Sequence, residues 1–339
     1  MEPKLRIPFP SNIPKYLSVS AAIIHAIRDD ILRCGQKLPS INELSEQYLL
    51  SRDTVEKAYK ELRKQGIIES VKGKGYFIKN TDVDAPIRVL LLFNKISNYK
   101  KQIYNSFVYT LGTQAKVDLQ VHHWNVQLFD SIINNSLGQY DYYVIMPHFY
   151  EQHDKAIAIL NRIPKEKLIL LDRDLPELTN NCSAVYQDFR KDIIDALEEA
   201  KPLLRKYEKL VYVNPTIVPY PPEIVIGFQT FCKLNDFDYS ILGDMDESIP
   251  VSKKEAYVLI EETDLVNLIK ICKSKNYKIG SDIGIISYNE TPLKEILLDG
   301  ITVISTDHEK MGQSAAALIL NKQHNKIKNP FTLIHRNSI

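Results

Sequence analysis

Two patterns of apolar residues divide the chain into a short first part and a long second part. Up to residue 78, apolar side chains recur every three or four positions, the spacing of helices that bury one face. From Ile87 onward, short apolar runs alternate with segments of helical spacing, which predicts an α/β domain with a parallel sheet. These runs lie at 88–94, 118–124, 142–147, 168–172, 209–213, 256–260 and 282–287. We expect an N-terminal domain at 1–78, a polar linker at 79–86 and a longer domain at 87–339.

The first part contains two short predicted helices after an initial helix at 16–33. Ser40 can accept a hydrogen bond from the free amides of an opening turn, and Glu43 completes a capping box. A second helix is capped by Ser51 and ends at Gly66. This is the arrangement of a helix-turn-helix, in which the first turn of the second helix meets the bases in the major groove of DNA. The residues presented there are Ser51, Arg52, Asp53, Thr54 and Lys57.

A basic hairpin follows the helical pair. The sequence predicts a strand at 67–71, a turn at Lys72-Gly73-Lys74-Gly75 and a return strand at 76–78. Glycine allows the backbone to approach a phosphate closely, and the two lysines would neutralise its charge. The hairpin is therefore predicted to be the wing of a winged helix.

The spacing of these residues resembles the GntR family of bacterial transcription regulators. The positions in register with the family pattern are Leu38, Pro39, Ser40, Leu44, Ser51, Arg52, Thr54, Val55, Ala58, Leu62, Gly66, Ile68, Gly73, Gly75 and Phe77. The resemblance implies a dimer that binds operator DNA. The positions it implies for DNA contact are Tyr16, Ser40, Asn42, Ser51, Arg52, Asp53, Thr54, Lys57, Lys72, Gly73 and Lys74.

Two positions depart from that family. Asn42 and Glu56 stand where members often carry DNA-contacting arginines. We therefore expect this chain to dock on DNA as the family does, but to recognise a different operator sequence. Arg52 is the expected guanine reader, because its guanidinium can donate two parallel hydrogen bonds. The alternative interpretation is that Arg52 and Lys57 only cover a solvated helix face.

Polar residues follow most of the apolar runs in the second part. In open parallel sheets, ligands bind beyond the carboxyl ends of the strands. The side chains at those ends are Asn94, His148, Asp172, Arg173, Asn214, Glu261, Glu262, Asn289 and Glu290. They are rich in carboxylates and amides, which can hydrogen-bond sugar hydroxyls in pairs. Asn and Asp also follow strands because they favour turns, and the adjacent Asp172 and Arg173 could form a salt bridge instead.

The segment 281–289, with 301–304, 311–312 and 335–338, resembles the effector domain of LacI/GalR-type repressors. The resemblance covers 87–338 and implies a two-lobed, periplasmic-binding-protein-like fold. It implies a small sugar, such as a pentose or deoxyhexose, bound in the cleft. The candidate effector-binding residues are Asn94, Tyr99, His148, Asp172, Arg173, Tyr220, Glu223, Glu261 and Asn289.

This second resemblance is also incomplete. Ile224 replaces an arginine that the family uses, and Met245 falls near a position where a tryptophan often floors the pocket. Tyr220 or Tyr99 could supply the stacking face instead. These changes leave the identity of the ligand open, although a polar neutral molecule remains the expectation.

Composition narrows the classes of function. Residues 1–80 contain 14 Lys and Arg against 9 Asp and Glu, while residues 81–339 contain 29 against 33, so a basic module precedes a mildly acidic one. Four widely spaced cysteines favour small buried hydrophobes in a reducing compartment over a zinc site or disulfide scaffold. No apolar stretch is long enough for a signal peptide or a membrane span, so we expect a cytoplasmic protein without membrane contact.

An enzymatic function is the main competing class. Some GntR-type heads are joined to aminotransferase-like or lyase-like domains, but the first needs a longer second half and the second a helical one. The pair His122-His123 could in principle bind a metal or act in acid–base catalysis. Adjacent strand residues point to opposite faces, however, so the two side chains would not converge on one site, and we expect surface histidines. We expect a sugar-controlled transcriptional regulator of a carbohydrate-utilisation operon, with no catalytic site, metal or cofactor. Repression relieved by the sugar is the commoner arrangement among such proteins, so a repressor is expected. The alternative is a regulator with a non-sugar effector, or a head fused to an enzyme-like domain.

Overall fold

The computed structural model describes residues 5, 7, 9, 14–81, 86–178, 182–218 and 220–339. Of the predicted linker 79–86, residues 82–85 lie outside the described residues, as do 1–4, 6, 8 and 10–13 of the predicted N-terminal domain. The helices are α1 (Lys15–Arg28), α2 (Ile41–Tyr48), α3 (Arg52–Lys64), α4 (Asn98–Leu111), α5 (Val126–Ser136), α6 (His153–Leu160), α7 (Phe189–Leu204), α8 (Pro222–Leu234), α9 (Glu262–Ser274), α10 (Pro292–Ile296) and α11 (His308–Leu320). The strands are β1 (Ile68–Val71), β2 (Gly75–Ile78), β3 (Ile87–Phe93), β4 (Ala115–Val121), β5 (Tyr142–Ile145), β6 (Leu168–Asp172), β7 (Ser183–Tyr186), β8 (Lys209–Val213), β9 (Asp238–Leu242), β10 (Glu255–Leu259), β11 (Ile283–Tyr288), β12 (Thr302–Thr306), β13 (Lys326–Lys328) and β14 (Phe331–Ile334).

Helices α1 to α3 and the β1–β2 hairpin share one apolar core. The predicted capping box forms: Ser40 accepts from the amide of Glu43, whose carboxylate accepts from the amide of Ser40. Leu49 adopts a left-handed conformation that ends α2, and the Ser51 hydroxyl accepts from Thr54 N at the start of α3. The prediction of a helix-turn-helix followed by a hairpin is thus confirmed.

Two six-stranded sheets follow. Their strand orders are β13-β7-β6-β5-β3-β4 and β14-β12-β11-β10-β8-β9. The described pairings among β6 to β13 are parallel, whereas β14 runs antiparallel to β12. Strand β11 is buried along its whole length, as expected of a strand with both faces covered. The α/β fold predicted from the alternating pattern is confirmed.

The chain forms two compact units that do not follow the order of the sequence. The first unit comprises Met1–Leu91, Thr113–Gln120 and Gln127–Tyr143, and the second comprises Leu92–Gly112, Val121–Val126 and Val144–Ile339. Within the first unit, the Asp141 carboxylate accepts from Arg28 at 2.8 Å and from the amide of Arg88 at 2.7 Å, and it also pairs with His25. These contacts lower the pKa of Asp141, although its burial acts in the opposite direction.

Several predicted boundaries were wrong. Helix α1 ends at Arg28, before the predicted 33. Strand β4 begins at Ala115, where 118 was predicted. Strands β7, β9, β13 and β14 were missed because none of them contains a long apolar run.

Two predictions about single residue types also need correction. Cys182, Cys232 and Cys272 are buried as expected, but Cys34 is exposed because it lies in the turn after α1. His122 is not a surface histidine: it is fully buried, and its Nε2 lies 3.0 Å from the carbonyl oxygen of Met146. Burial lowers the pKa of His122 to about 4, so it is a neutral core residue.

Candidate functional site

The first turn of α3 forms a polar surface in the first unit. Ser51, Arg52, Asp53 and Lys57 are exposed, and Thr54 is half-buried. The hydroxyl of Thr54 lies 2.7 Å from that of Ser51, so this pair is held by the cap. The opposite face of α3 fixes the helix, because Val55, Ala58, Tyr59 and Leu62 are fully buried in the core of the head. Arg52 therefore projects from a rigid support.

The wing lies beside this helix in the same unit. Lys72, Gly73 and Lys74 are exposed at its tip, and Gly73 has a φ of 77°, a conformation that favours glycine. Lys37 pairs with Phe77, which adds a third strand-like segment to the hairpin. The tip thus offers two ammonium groups on a supported turn, as phosphate contact requires.

The remaining predicted DNA contacts fall into two groups. Ser40 and Asn42 are exposed at the start of α2, although the hydroxyl of Ser40 is already used in the capping box. Lys57 lies over the ring of Tyr16, with Nζ 4.3 Å from the ring centroid, so this cation–π contact holds the lysine near the start of α1.

A cavity of about 570 Å³, part of it open to solvent, lies in the second unit. Six of the predicted effector residues line it: Asn94, Tyr99, His148, Asp172, Tyr220 and Asn289. They come together because Asn94, Asp172 and Asn289 stand at the carboxyl ends of β3, β6 and β11.

The other three predicted effector residues do not line the cavity. Arg173 pairs with Glu223 at 3.0 Å, so it does not form the predicted alternative salt bridge with Asp172. Glu261 accepts from Lys95 at 3.5 Å and from the hydroxyl of Tyr220. These carboxylates therefore position neighbouring side chains instead of facing the cavity.

Sequence reasoning missed further lining residues. They include Lys95, Lys100, Trp124, Gln187, Tyr288 and His308. Gln187 and His308 follow the carboxyl ends of β7 and β12. Had these two strands been predicted, the expectation that ligands bind beyond strand ends would have identified both residues. Lys100 lies inside a helix, where no sequence signal marked it.

Asp172 is the most extensively bonded group of the cavity. Because a carboxylate can only accept, Nε2 of His148 donates to its Oδ2 at 2.8 Å, and Nε2 of Gln187 donates to its Oδ1. Burial acts to raise the pKa of Asp172, but the hydrogen bond and charge of His148 outweigh it and hold that pKa well below its usual range. Asp172 also has a φ of 75°, an uncommon conformation for a non-glycine residue.

Lys100 faces the cavity from the first turn of α4 and is 3% exposed. Its ammonium donates to the side-chain oxygen of Asn94. Burial lowers the pKa of Lys100 to about 7, although the charge of Asp172 opposes the shift. The group is thus a buried amine beside a neutral partner.

Aromatic rings form another wall. Lys95 Nζ lies 5.8 Å from the ring of Trp124 and 5.5 Å from the ring of Tyr220, while the rings of Tyr99 and His308 lie 5.0 Å apart. Aromatic faces of this kind pack against the C–H face of a sugar ring or against another flat ligand.

Several buried polar atoms on the cavity wall have no hydrogen-bond partner among the described residues. They are Oε1 of Gln187, the hydroxyl of Tyr288 and Nε1 of Trp124. Because unsatisfied buried polar groups are costly, these atoms are candidates to bond a ligand. The described ranges contain no cluster of side chains suited to a metal ion, and no helix within them is long and apolar enough to cross a membrane.

Comparisons with known proteins agree with both parts of this description. The family model for bacterial regulatory proteins of the gntR family matches residues 15–78. The HTH-type transcriptional repressor YtrA of Bacillus subtilis is 30% identical over 115 residues, which are 34% of this chain and 83% of YtrA. Among solved structures, a trehalose repressor from Escherichia coli aligns with a TM-score of 0.59 and 15% identity, over 74% of this chain and 100% of that chain.

A lac repressor dimer bound to operator and the anti-inducer ONPF aligns with a TM-score of 0.60 and 14% identity, over 75% of this chain and 94% of that chain. Identities this low show a shared fold. The winged helix and the repressor-like α/β fold expected from the sequence are therefore both present in one chain.

Proposed function

Because the chain belongs to the gntR family of bacterial regulatory proteins, we propose that it is a transcriptional repressor whose binding to operator DNA is controlled by a small sugar. The observation that carries the proposal is the combination, in one chain, of an exposed Arg52 on a capped α3 and a separate cavity lined by polar strand ends. The first suits a DNA reader and the second suits a small polyhydroxylated ligand.

The DNA-binding half of the proposal is supported by the chemistry of the head. Arg52 can read guanine through two hydrogen bonds, while Lys72 and Lys74 at the wing tip contact phosphates. Phosphate contacts position a protein and base contacts give specificity. We propose a homodimer, since two heads are needed to meet half-sites about 34 Å apart, one helical turn of DNA.

The effector half is supported by the walls of the cavity. The amides and carboxylate at its strand ends, Asn94, Asp172 and Asn289, can bond neighbouring hydroxyls, and the rings of Trp124 and Tyr220 offer a stacking face. A pentose or a deoxyhexose has the size and the hydroxyl pattern that such walls fit. The alternative is a non-sugar effector, which is supported if no sugar binds to the protein.

Control of DNA binding would follow from coupling between the two sites. A ligand that prefers one conformation shifts the population of the chain toward it, and the operator affinity changes by the corresponding free energy. When a ligand relieves repression, the ligand-bound conformation has the lower affinity for the operator. No enzymatic step is required.

The experiment has two arms. Selection of bound duplexes from a random library, followed by gel-shift titration, is expected to return a two-fold symmetric operator bound by the intact protein. A thermal-shift screen with pentoses, deoxyhexoses and their derivatives is then expected to find a ligand that raises the Tm, because ligands that bind the native state stabilise it. Failure to select any sequence over random DNA would refute the proposed function.

Asp172→Ala tests the assignment of the cavity. We expect this variant to lose the ligand response while it keeps operator affinity, because Asp172 orients His148 and Gln187 on the cavity wall. Asp174→Ala is the matched control: Asp174 pairs with Lys326 at 2.8 Å and does not line the cavity. An unchanged response in Asp172→Ala would place the effector elsewhere.

A further inference from the structure

Lys100 has an unusual position for a cation. Its side chain is 3% exposed, and it lies in the first turn of α4, whose backbone amides carry partial positive charge. A lysine at this end of a helix is disfavoured, and a buried ammonium normally needs an ionic partner. The unfavourable free energy of a lysine in this position therefore has to be offset by some other interaction.

The described part of the chain contains no carboxylate within 4 Å of the Lys100 ammonium, since no ion pair forms there and the group donates to the neutral amide of Asn94. The carboxylate of Asp172 attracts Lys100, but both of its oxygens are already bonded, by His148 and Gln187. Glu261 is bonded to Lys95 and Tyr220. The positive charge of Lys100 is therefore not balanced by a direct partner.

Independent features of the same wall also suit a ligand that carries both hydroxyls and negative charge. Gln187 is 8% exposed and Tyr288 3%, and each leaves an oxygen without a partner among the described residues. His308, the first residue of α11, brings a second helix N-terminus to the cavity. Helix N-termini favour anions, whereas the free oxygens of Gln187 and Tyr288 can accept from hydroxyls.

We propose that the ligand of this cavity is a small polyhydroxylated anion, whose carboxylate or phosphate pairs with Lys100 while its hydroxyls bond Gln187 and Tyr288. The inference rests on the proposed function, because it takes this cavity as the effector site. It narrows the ligand class from a neutral pentose or deoxyhexose to a sugar acid or a sugar phosphate. A neutral sugar could accept one hydrogen bond from Lys100, but it would leave the charge unbalanced.

The test uses the full chain and matched sets of probes. Each set contains a neutral sugar, its acid and its phosphate: glucose with glucuronate and glucose 6-phosphate, and arabinose with arabinonate and arabinose 5-phosphate. Inorganic phosphate is added as a minimal anion, compared with chloride at equal ionic strength. Thermal shift and calorimetric Kd are measured for the native protein, for Lys100→Met and for Lys101→Met, an exposed neighbour on the same helix.

We expect the anionic member of at least one set to bind the native protein and Lys101→Met, with a Kd about tenfold or more weaker in Lys100→Met, the loss typical of a hydrogen bond to a charged group. Without ligand, Lys100→Met is expected to have a higher Tm than the native protein, because it removes an unbalanced buried charge. The acid and phosphate arms then identify which anion is bound.

Two results would overturn the inference. One is a neutral sugar that binds as tightly as its anions and equally well to Lys100→Met; the proposed function would then stand with a neutral effector. The other is the absence of any difference between the native protein and Lys100→Met with every probe, inorganic phosphate included. Selection of operator DNA is measured separately, so a failure of the proposed function is recognised independently.

Discussion

At the scale of single residues, the two side chains on which the proposals depend differ in their exposure to solvent. Arg52 is exposed on a helix whose other face is fully buried, so its position is fixed while its guanidinium stays available. Lys100 is buried and lacks a carboxylate partner among the described residues. We propose that the first residue contacts DNA and that the second contacts a small molecule.

Arg52→Ala should weaken binding to the selected operator by about 1–3 kcal/mol, the usual contribution of a bidentate contact to a base. Binding of small ligands should be unchanged, since Arg52 is not on the cavity wall. Gel-shift titrations against operator and random DNA measure the effect. An equal loss on both DNAs would mean that Arg52 contacts phosphate.

Ligand affinity should depend on pH through Lys100. Its pKa is lowered to about 7 by burial, and an anion binds the protonated form, so affinity is fully present below about pH 7 and falls as pH rises through that value. The pKa of Asp172 lies well below this range, and burial lowers that of His308 to about 4, so neither changes charge there. Calorimetry from about pH 6 to about pH 8 measures the effect.

Lys100→Met is the control for this pH dependence. It retains the other ionisable groups of the cavity wall, so any pH dependence that remains in this variant comes from groups other than Lys100. The same slope in the native protein and in Lys100→Met would contradict the role given to Lys100.

At the scale of elements, glycines set how closely neighbouring helices pack. A methyl group on Gly312 of α11 would lie 2.4 Å from the carbonyl oxygen of Ile103 in α4, and one on Gly227 of α8 would lie 2.6 Å from that of Arg190 in α7. Real Cβ atoms do not approach backbone this closely. Helix α4 also carries Tyr99 and Lys100, so its distance from α11 sets the width of the cavity on that side.

Gly312→Ala should therefore destabilise the protein. Replacing a helical glycine by alanine normally stabilises by about 1 kcal/mol, but overpacking a tight contact costs about 1–3 kcal/mol and should exceed that gain. Urea unfolding followed by circular dichroism measures the difference. Gln313→Ala, a half-buried neighbour on the same helix, is the control; equal or greater stability in Gly312→Ala would show that α4 moves away easily.

At the scale of the whole molecule, the candidate DNA surface lies in the first unit and the candidate cavity in the second. Control of DNA binding by a ligand in the cavity would be a thermodynamic coupling between the two sites, and such coupling is reciprocal. The chain contains a single tryptophan, Trp124, and it lines the cavity. We therefore expect its fluorescence to change when a ligand binds in the cavity.

Operator DNA should change the ligand Kd by the same factor as the ligand changes the operator Kd. Allosteric couplings are commonly about 5- to 150-fold, which is measurable. Trp124 fluorescence titrations with and without operator give the first factor, and gel-shift titrations with and without ligand give the second. Trp124→Phe should abolish the optical signal; unequal factors would mean that the ligand acts at another site.

Local structure could be predicted from the sequence. Capping boxes, helical spacing and turn glycines act over a few residues, so Ser40, Ser51 and Gly66 were enough to predict the helix-turn-helix. The alternation of apolar runs likewise predicted the α/β fold, because strands buried on both faces need continuous apolar sequence. The boundaries of α1 and β4 were predicted less accurately, because the ends of elements vary by a few residues with little local signal.

The sequence did not reveal which polar side chains share the cavity. Arg173 and Glu261 satisfy the same strand-end rule as Asp172, yet they turn to other partners because Glu223, Lys95 and Tyr220 lie near them in space. Trp124 and Lys100 join the wall from a loop and a helix, far from Asp172 in sequence. Burial and pairing depend on contacts between distant segments, and these contacts leave no local pattern in the chain.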